Sequence, residues 1–294
     1  PFNPHYHDRE HYNFSPTHKS DRIPYIIRRH ADNVGLFSYF NTILRGIAYA
    51  DKHNMIPVVD MKNYPNAYLY DSEVGHVNSW EYYFEQPGGM SLEDALSSRK
   101  YILGRDTRLH SYGTDNNINY KRALVRKYIR PTRTVLERVE KLMQQAHGRK
   151  VLGVLVRGTD LIALKPHGHH IQPTAEQAIL KAQEVMTAEG YDTVYLATED
   201  KAIASKFQEA FGENLMLPEA QYIDYDYNNP MYLAHCYSDR KNDKYLRGLE
   251  YLVSILFLSK CRGFIASGSN GTDGVLVFSE GFDYLYVFDL GLYQ

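Results

Sequence analysis

The sequence has little cysteine, no excess charge of one sign and no long hydrophobic run. Two cysteines among 294 residues, Cys236 and Cys261, exclude a disulfide framework and indicate a reducing compartment. A formal net charge of −2 excludes a general basic field for nucleic acid. No apolar run reaches transmembrane length, and the N-terminus has no signal-peptide core. We therefore expect a cytoplasmic bacterial protein without a membrane span or nucleic-acid partner, acting in solution or at the inner face of the membrane.

Strand and helix patterns alternate along the chain, which has enough hydrophobic residues (44%) for a substantial core. Predicted strands lie at 23–27, 56–60, 151–157, 193–198, 262–266 and 284–289, and predicted helices at 37–53, 120–145, 174–189, 201–211 and 244–260, with short helices starting at 91 and after 274. Such alternation implies right-handed crossovers and mostly parallel sheets. We predict the α/β class, with an N-terminal domain over 1–147 that ends in a bridging helix and a C-terminal domain over 148–294.

Polar residues follow three of the predicted strands in the second half. They are Arg157, Thr159 and Asp160 after the first strand, Thr198, Glu199 and Asp200 after the second, and Ser267, Ser269, Asn270, Gly271 and Thr272 after the third. Because the carboxyl ends of parallel strands meet at one crevice, we expect these groups to converge. The arginine fork suits phosphate, and small residues let backbone N–H groups approach an oxyanion. The pattern favours a phosphorylated ligand.

Each of these strand ends also has a purely structural interpretation. Arg157 can form an ion pair with Asp160 or a neighbouring acid, and 198–200 can cap the helix that follows. The segment 267–274 can be a plain turn. Its glycines do not form a dinucleotide fingerprint, because their spacing is wrong and they lie late in the chain.

The sequence Gly153-Val-Leu-Val-Arg157-Gly-Thr-Asp160 resembles the first signature of the α1,6-, α1,2- and protein O-fucosyltransferase superfamily. Residues 194–200 resemble the second signature, and Leu246-Arg-Gly, 255–259 and 267–272 resemble the third, in the same order. The resemblance implies a GT-B-like fold, with two Rossmann-like domains facing a cleft. It also implies inverting transfer without metal or other cofactor, from GDP-fucose held mainly by the C-terminal domain.

The resemblance also implies roles for single residues. Arg157 matches the arginine that binds the β-phosphate, and Asp160, Asp200 and Ser269 fall on other motif positions. The family often has histidine where this chain has Leu155, and many members have a second arginine at Gly158. The aspartate that recognises guanine in relatives falls at Ser254, so Glu250, one turn earlier, is the expected substitute. The predicted donor-binding set is Arg157, Thr159, Thr198, Asp200, Glu250, Ser267, Ser269, Asn270, Gly271 and Thr272.

The base that activates the acceptor is left open by the sequence. Inverting displacement needs a carboxylate or histidine beside the acceptor hydroxyl. Glu81 and Glu85, and His167, His169 or His170, are candidates; a solvated acidic pair, a metal site or a structural loop are the alternatives. We take Arg157, Asp160 and Glu85 as catalytic, and list the acceptor side as Gly35, Trp80, Glu81, His167 and His169.

The sequence therefore predicts a metal-independent, inverting glycosyltransferase that moves fucose from GDP-fucose to a glycan hydroxyl in polysaccharide biosynthesis. The departures at Leu155 and Gly158 keep two alternatives open. One is a transferase for another nucleotide sugar, and the other is a non-catalytic nucleotide- or glycan-binding protein of the same fold. An NAD-dependent oxidoreductase is disfavoured, because no glycine-rich turn follows the first strand.

Overall fold

The computed structural model divides the chain into two units, Pro1–Arg133 and Thr134–Gln294. It describes residues 9–12, 22–32, 34–104, 117–236 and 238–294. The division falls inside the predicted bridging helix over 120–145, which the structure replaces by two helices. Ile118–Tyr128 lies in the first unit, and Arg133–Gln145 lies almost wholly in the second. The predicted boundary at residue 147 lies just beyond the second of these helices.

The first unit is built on a four-stranded sheet. Its elements are β1 (Arg9–Tyr12), β2 (Pro24–Ile27), α1 (Leu36–Lys52), β3 (Ile56–Val59), α2 (Leu92–Ser97), β4 (Lys100–Leu103) and α3 (Ile118–Tyr128). The strand order is β1-β4-β2-β3, with β2 parallel to both neighbours and β1 antiparallel to β4. The apolar face of α1, including Phe37, Phe40 and Ile47, is buried, as its three-four spacing predicts.

The second unit is built on a five-stranded parallel sheet. Its elements are α4 (Arg133–Gln145), β5 (Val151–Leu155), α5 (Thr159–Leu164), α6 (Ala175–Glu189), β6 (Thr193–Ala197), α7 (Lys201–Phe211), β7 (Leu215–Met216), α8 (Asp243–Leu258), β8 (Gly263–Ser267), α9 (Asn270–Phe278) and β9 (Tyr284–Phe288). The strand order is β7-β6-β5-β8-β9, and all four pairings are parallel. Counted within this unit, that order is 3-2-1-4-5, the order of a Rossmann-type sheet.

The central strands of this sheet are apolar because both of their faces are covered. Every residue of β5, β6 and β8 is buried, as expected for parallel strands between helical layers. In β5, Gly153 lets α8 approach closely: a Cβ there would lie 2.7 Å from the Leu258 side chain and 3.3 Å from that of Cys261. This close packing fixes the position of the carboxyl end of β5 relative to α8.

Among the described strands and α-helices, four short elements were not predicted from the sequence. They are β1, β4, β7 and α5, each of two to six residues, which is too short for a periodic pattern to show. Within the described residues, no helix combines the length and apolar character needed to cross a membrane.

Replacing Gly153 by valine should destabilise the second unit. The added side chain must displace Leu258 or Cys261, and overpacking of this kind lowers the free energy of unfolding by about 1–3 kcal/mol. Urea unfolding followed by circular dichroism measures the change. Leu180→Ala is the control, because Leu180 is 66% exposed and should change stability by less than about 0.5 kcal/mol. A Gly153→Val protein as stable as the control would show that α8 does not pack as described.

Candidate functional site

The second sheet has a topological switch point between β5 and β8. The chain runs from β5 to β6 and β7 on one side, and then to β8 and β9 on the other. In open α/β sheets, ligands bind at the carboxyl ends of the strands where the order reverses. Leu155 pairs with Ala266 at this edge, so Arg157 and Gly268 each stand two residues beyond that pair. The structure thus brings the ends of β5 and β8 together at the switch point, and the end of β6 lies on the other side of β5, where Leu155 pairs with Ala197.

Arg157 is held at this edge by three groups. Its Nη2 donates to Asp160 Oδ1 at 3.3 Å, and its Nε lies 3.2 Å from Glu199 Oε1, an ion pair without hydrogen-bond alignment. The hydroxyl of Tyr251 also faces the guanidinium and helps to raise its pKa. The side chain is 18% exposed. Arg157 therefore forms the ion pairs of the structural interpretation, and its cation also lies where a ligand is expected.

The neighbours of Arg157 keep its charge fixed. Burial opposes the charged form, but the pKa of the guanidinium is raised above its usual value because Glu199, Tyr251 and Asp160 outweigh that cost. Burial raises the pKa of the Tyr251 hydroxyl, although the adjacent Arg157 acts in the opposite direction. The site therefore presents a permanent cation beside a neutral phenol.

Thr159 holds the turn that carries Arg157. It is fully buried with φ +50°, a conformation that is costly for a β-branched residue and persists only where the surroundings enforce it. Its N–H donates to Tyr227 Oη at 3.2 Å and to Asp200 Oδ2 at 3.4 Å, and its Oγ1 donates to Glu199 Oε1 at 2.9 Å. Thr159 therefore fixes the backbone at the end of β5.

Asp200 has a structural role that the sequence analysis gave as its alternative. Its Oδ1 accepts from the N–H groups of Ala202 and Ile203 at 2.8 and 3.2 Å, which caps α7. Its Oδ2 accepts from Thr159 and from the hydroxyl of Tyr227. Thr198 Oγ1 in turn accepts from the Asp200 N–H at 3.2 Å. The capping carboxylate thus also fastens the Arg157 turn to β6.

The hydroxyls that follow β8 serve the start of α9. Ser269 Oγ caps the helix by accepting from the Thr272 N–H at 3.1 Å, and Thr272 Oγ1 donates to the Ser267 carbonyl at 2.5 Å. Ser267 Oγ donates to Gln172. These contacts hold the first turn of α9, which includes Asn270 and Gly271, at the switch point. A helix N-terminus there favours an anion.

Glu250 is engaged within the protein. Its Oε2 accepts from Arg240 Nη2 at 3.1 Å and from the Gln221 N–H at 3.3 Å, and its Oε1 accepts from Arg240 Nη1 at 2.5 Å. Ser254 hydrogen-bonds to the buried hydroxyl of Tyr195 at 3.1 Å. Glu250 therefore offers a base only the acceptor position that Arg240 and Gln221 leave open.

The candidates in the first unit differ in exposure. Trp80 is 1% exposed, stacks on Phe84 at 4.5 Å and donates its indole N–H to the Glu85 carbonyl at 3.0 Å. This is a packing role, so we do not propose Trp80 as an acceptor contact. Glu81 is exposed, and its Oε1 accepts from Gln86 Nε2 at 2.8 Å. Glu85 is exposed, as is Gly35 at the N-terminus of α1.

The histidine loop lies against the chain beyond β9. The Gly168 N–H donates to the Tyr293 carbonyl at 2.9 Å, and the Tyr293 N–H donates to the His169 carbonyl at 2.9 Å. His167, His169 and His170 are exposed. Of these three histidines, His170 contacts the loop after β8. Its ring fills the space that a Cβ on Gly268 would occupy. Among the described residues, no group of three or more His, Cys, Asp or Glu side chains is placed to bind a metal ion.

Two contributors to the site escaped the sequence analysis. Tyr251 comes from α8 and Tyr227 from the loop that follows β7, and both contact the Arg157 turn. Neither belongs to a strand end or to a motif, so spacing provided no signal. Glu199 was expected at this crevice as one of the polar residues after the second strand, but the predicted donor-binding set did not include it.

Substitution of Asp200 should separate its two roles. Asp200→Ala removes the cap and leaves Tyr227 and Thr159 without their acceptor, which should lower the free energy of unfolding by about 2–3 kcal/mol. Asp200→Ser keeps a capping oxygen and should recover about 1 kcal/mol of that loss. Urea unfolding of the three proteins measures both changes. Equal stability of the alanine variant and the wild type would contradict the structural role of this carboxylate.

Comparison with solved structures shows which proteins share this fold. No family model and no curated protein matches the chain. The fucosyltransferase NodZ from Bradyrhizobium superposes with a TM-score of 0.55 at 14% identity, over 92% of this chain and 96% of that one. NodZ alpha-1,6-fucosyltransferase soaked with GDP-fucose gives 0.51 at 14% identity, over 88% and 93%. POFUT1 in its apo-form gives 0.54 at 9% identity, over 92% and 99%. The chain therefore has the GT-B fold of these fucosyltransferases, which confirms the predicted fold class.

Proposed function

We propose that the protein is an inverting glycosyltransferase that transfers fucose from GDP-fucose to a glycan hydroxyl. The observation that carries this proposal is the guanidinium of Arg157, held at the switch point of a Rossmann-type sheet. The shared fold with a fucosyltransferase structure soaked with GDP-fucose supports the choice of donor.

In the proposed reaction, the acceptor oxygen attacks the anomeric carbon of fucose from the face opposite the diphosphate. The bond between the anomeric carbon and the phosphate oxygen breaks, its electron pair leaves with GDP, and a base takes the acceptor proton. Negative charge grows on the β-phosphate as that bond breaks. A fixed guanidinium and the N-terminus of α9 stabilise this charge more strongly in the transition state than in the ground state.

The other site residues take supporting roles in this proposal. Asp160 acts by orienting Arg157, since Asp160 Oδ1 accepts from the guanidinium. Thr159, Thr198 and Asp200 act on the donor site through the turn that they hold, and the first turn of α9 contacts the phosphates. Because Arg157 supplies the positive charge, no metal is needed for the departure of GDP.

We further propose that the first unit provides the acceptor side. Glu85 is the proposed base, and Glu81 and Gly35 are proposed acceptor contacts. All three residues are exposed. His167 and His169 remain proposed acceptor contacts. The acceptor is proposed to be a polysaccharide precursor in the bacterial cytoplasm.

One observation favours a second candidate, a transferase for a nucleotide sugar with a different base. Both carboxylate oxygens of Glu250 are taken by Arg240, so the residue expected to recognise guanine is already engaged. A base that does not need a carboxylate would leave this pair intact.

Changing Arg157 tests the proposed reaction. Arg157→Ala should lower the rate of GDP release from GDP-fucose by about 10²–10³-fold. Arg157→Lys should not restore it, because a point charge cannot replace the fork. Arg262→Ala, an exposed arginine paired with Asp283, is the control. Chromatography of GDP formed with a panel of glycan acceptors, with and without EDTA, measures the rate. Full turnover by Arg157→Ala, or loss of all wild-type turnover in EDTA, would contradict the proposal.

A nucleotide panel separates the two candidate donors. Ligand that binds only the folded protein stabilises it by about 2.7 kcal/mol at a hundred times its Kd. GDP and GDP-fucose should therefore raise the melting temperature, and UDP should not. A rise with UDP alone would establish the second candidate instead.

A further inference from the structure

Tyr251 connects two elements of the switch point that are distant in the sequence. It lies on α8 and is half-buried. Its hydroxyl lies beside the Arg157 guanidinium and acts on it as a hydrogen-bond partner would, raising its pKa. Since a guanidinium has no acceptor atom, the phenol oxygen is the acceptor in this pair. The contact restrains the direction of the cation from the side of α8.

The same hydroxyl occupies the space beside Gly271 in the first turn of α9. A Cβ built on Gly271 would lie 2.1 Å from Tyr251 Oη and 3.2 Å from Tyr251 Cζ. Gly271 lies within α9 and is not among the residues with positive φ, so its backbone conformation does not require glycine. The close approach of Tyr251 does require it.

We propose that Tyr251 is a positioning residue, whose hydroxyl, seated over Gly271, holds the Arg157 guanidinium beside the first turn of α9. This inference rests on the proposed function, because its purpose is to aim the cation at the diphosphate. Glu199 and Asp160 also orient Arg157, but each adds negative charge that repels a diphosphate. A neutral phenol orients the cation without adding to that repulsion.

Tyr251→Phe keeps the ring and removes the hydroxyl. We expect the Kd for GDP to rise about tenfold, because the guanidinium would hold the binding orientation only about a tenth of the time before GDP arrives. The Kd for GMP should stay unchanged, because it lacks the β-phosphate that Arg157 is proposed to bind. Isothermal titration measures both. Tyr286→Phe is the matched control, since Tyr286 on β9 is also half-buried and lies under Lys181.

An unchanged Kd for GDP would overturn the inference. An equal loss of GDP and GMP affinity would also overturn it, because it would show a general structural defect.

A double-mutant cycle tests the pairing of Tyr251 with Gly271. Gly271→Ala should displace the hydroxyl and weaken GDP binding about tenfold in the wild-type background. In the Tyr251→Phe background the oxygen is gone, so the same methyl group should have a much smaller effect. Independent, multiplicative effects of the two substitutions would contradict the pairing.

A crystal structure of ligand-free Tyr251→Phe separates this inference from the proposed function. The guanidinium of Arg157 should turn away from α9 toward Glu199 and Asp160. If the wild type binds no GDP but the guanidinium moves, the proposed function fails and the positioning role stands. A guanidinium that keeps its direction would overturn the positioning role, whatever the protein binds.

Discussion

The site of the second unit depends on how the guanidinium of Arg157 is held. Glu199 and Asp160 keep it charged, and Tyr251 restrains it from α8. The turn that carries it includes Thr159 in a left-handed conformation, which isolated chains disfavour. The hydrogen bonds of Thr159 to Asp200 and Tyr227 offset that strain. The position of one cation is therefore set by groups from α5, α8, the residues after β6 and the loop after β7.

This arrangement contains a conflict that bears on its chemistry. Two carboxylates beside a cation reduce its attraction for an incoming diphosphate. They also fix its direction before the ligand arrives, and groups that are oriented in advance need no reorganisation during reaction. The N-terminus of α9 adds positive potential at the same edge of the sheet without another acid. In the proposed reaction, the site therefore has a lower affinity for the ground state and a cation that is already directed at the leaving group.

Much of the second unit could be predicted from the sequence, because its signals are local. The predicted helix over 201–211 has the bounds of α7, and the central strands agree within two residues, since buried parallel strands and amphipathic helices leave continuous patterns. Arg157 and the residues after β8 were placed at strand ends, and the structure shows them there.

What the sequence did not reveal depends on tertiary contacts. The six residues of α5 are too few for periodicity, and the positive φ of Thr159 is enforced by Asp200 and Tyr227. The pairing of Tyr251 with Arg157 joins helix and strand across a long stretch of chain. The burial of Trp80 was likewise hidden, because an aromatic residue in a polar segment fits a binding surface as well as a core.

The most direct test of this account is a crystal structure of the whole chain with GDP bound. The account predicts that Arg157 donates hydrogen bonds of about 2.7–2.9 Å to the β-phosphate, beside the first turn of α9. A structure in which GDP binds elsewhere, while Arg157 contacts only Glu199, Asp160 and Tyr251, would contradict it.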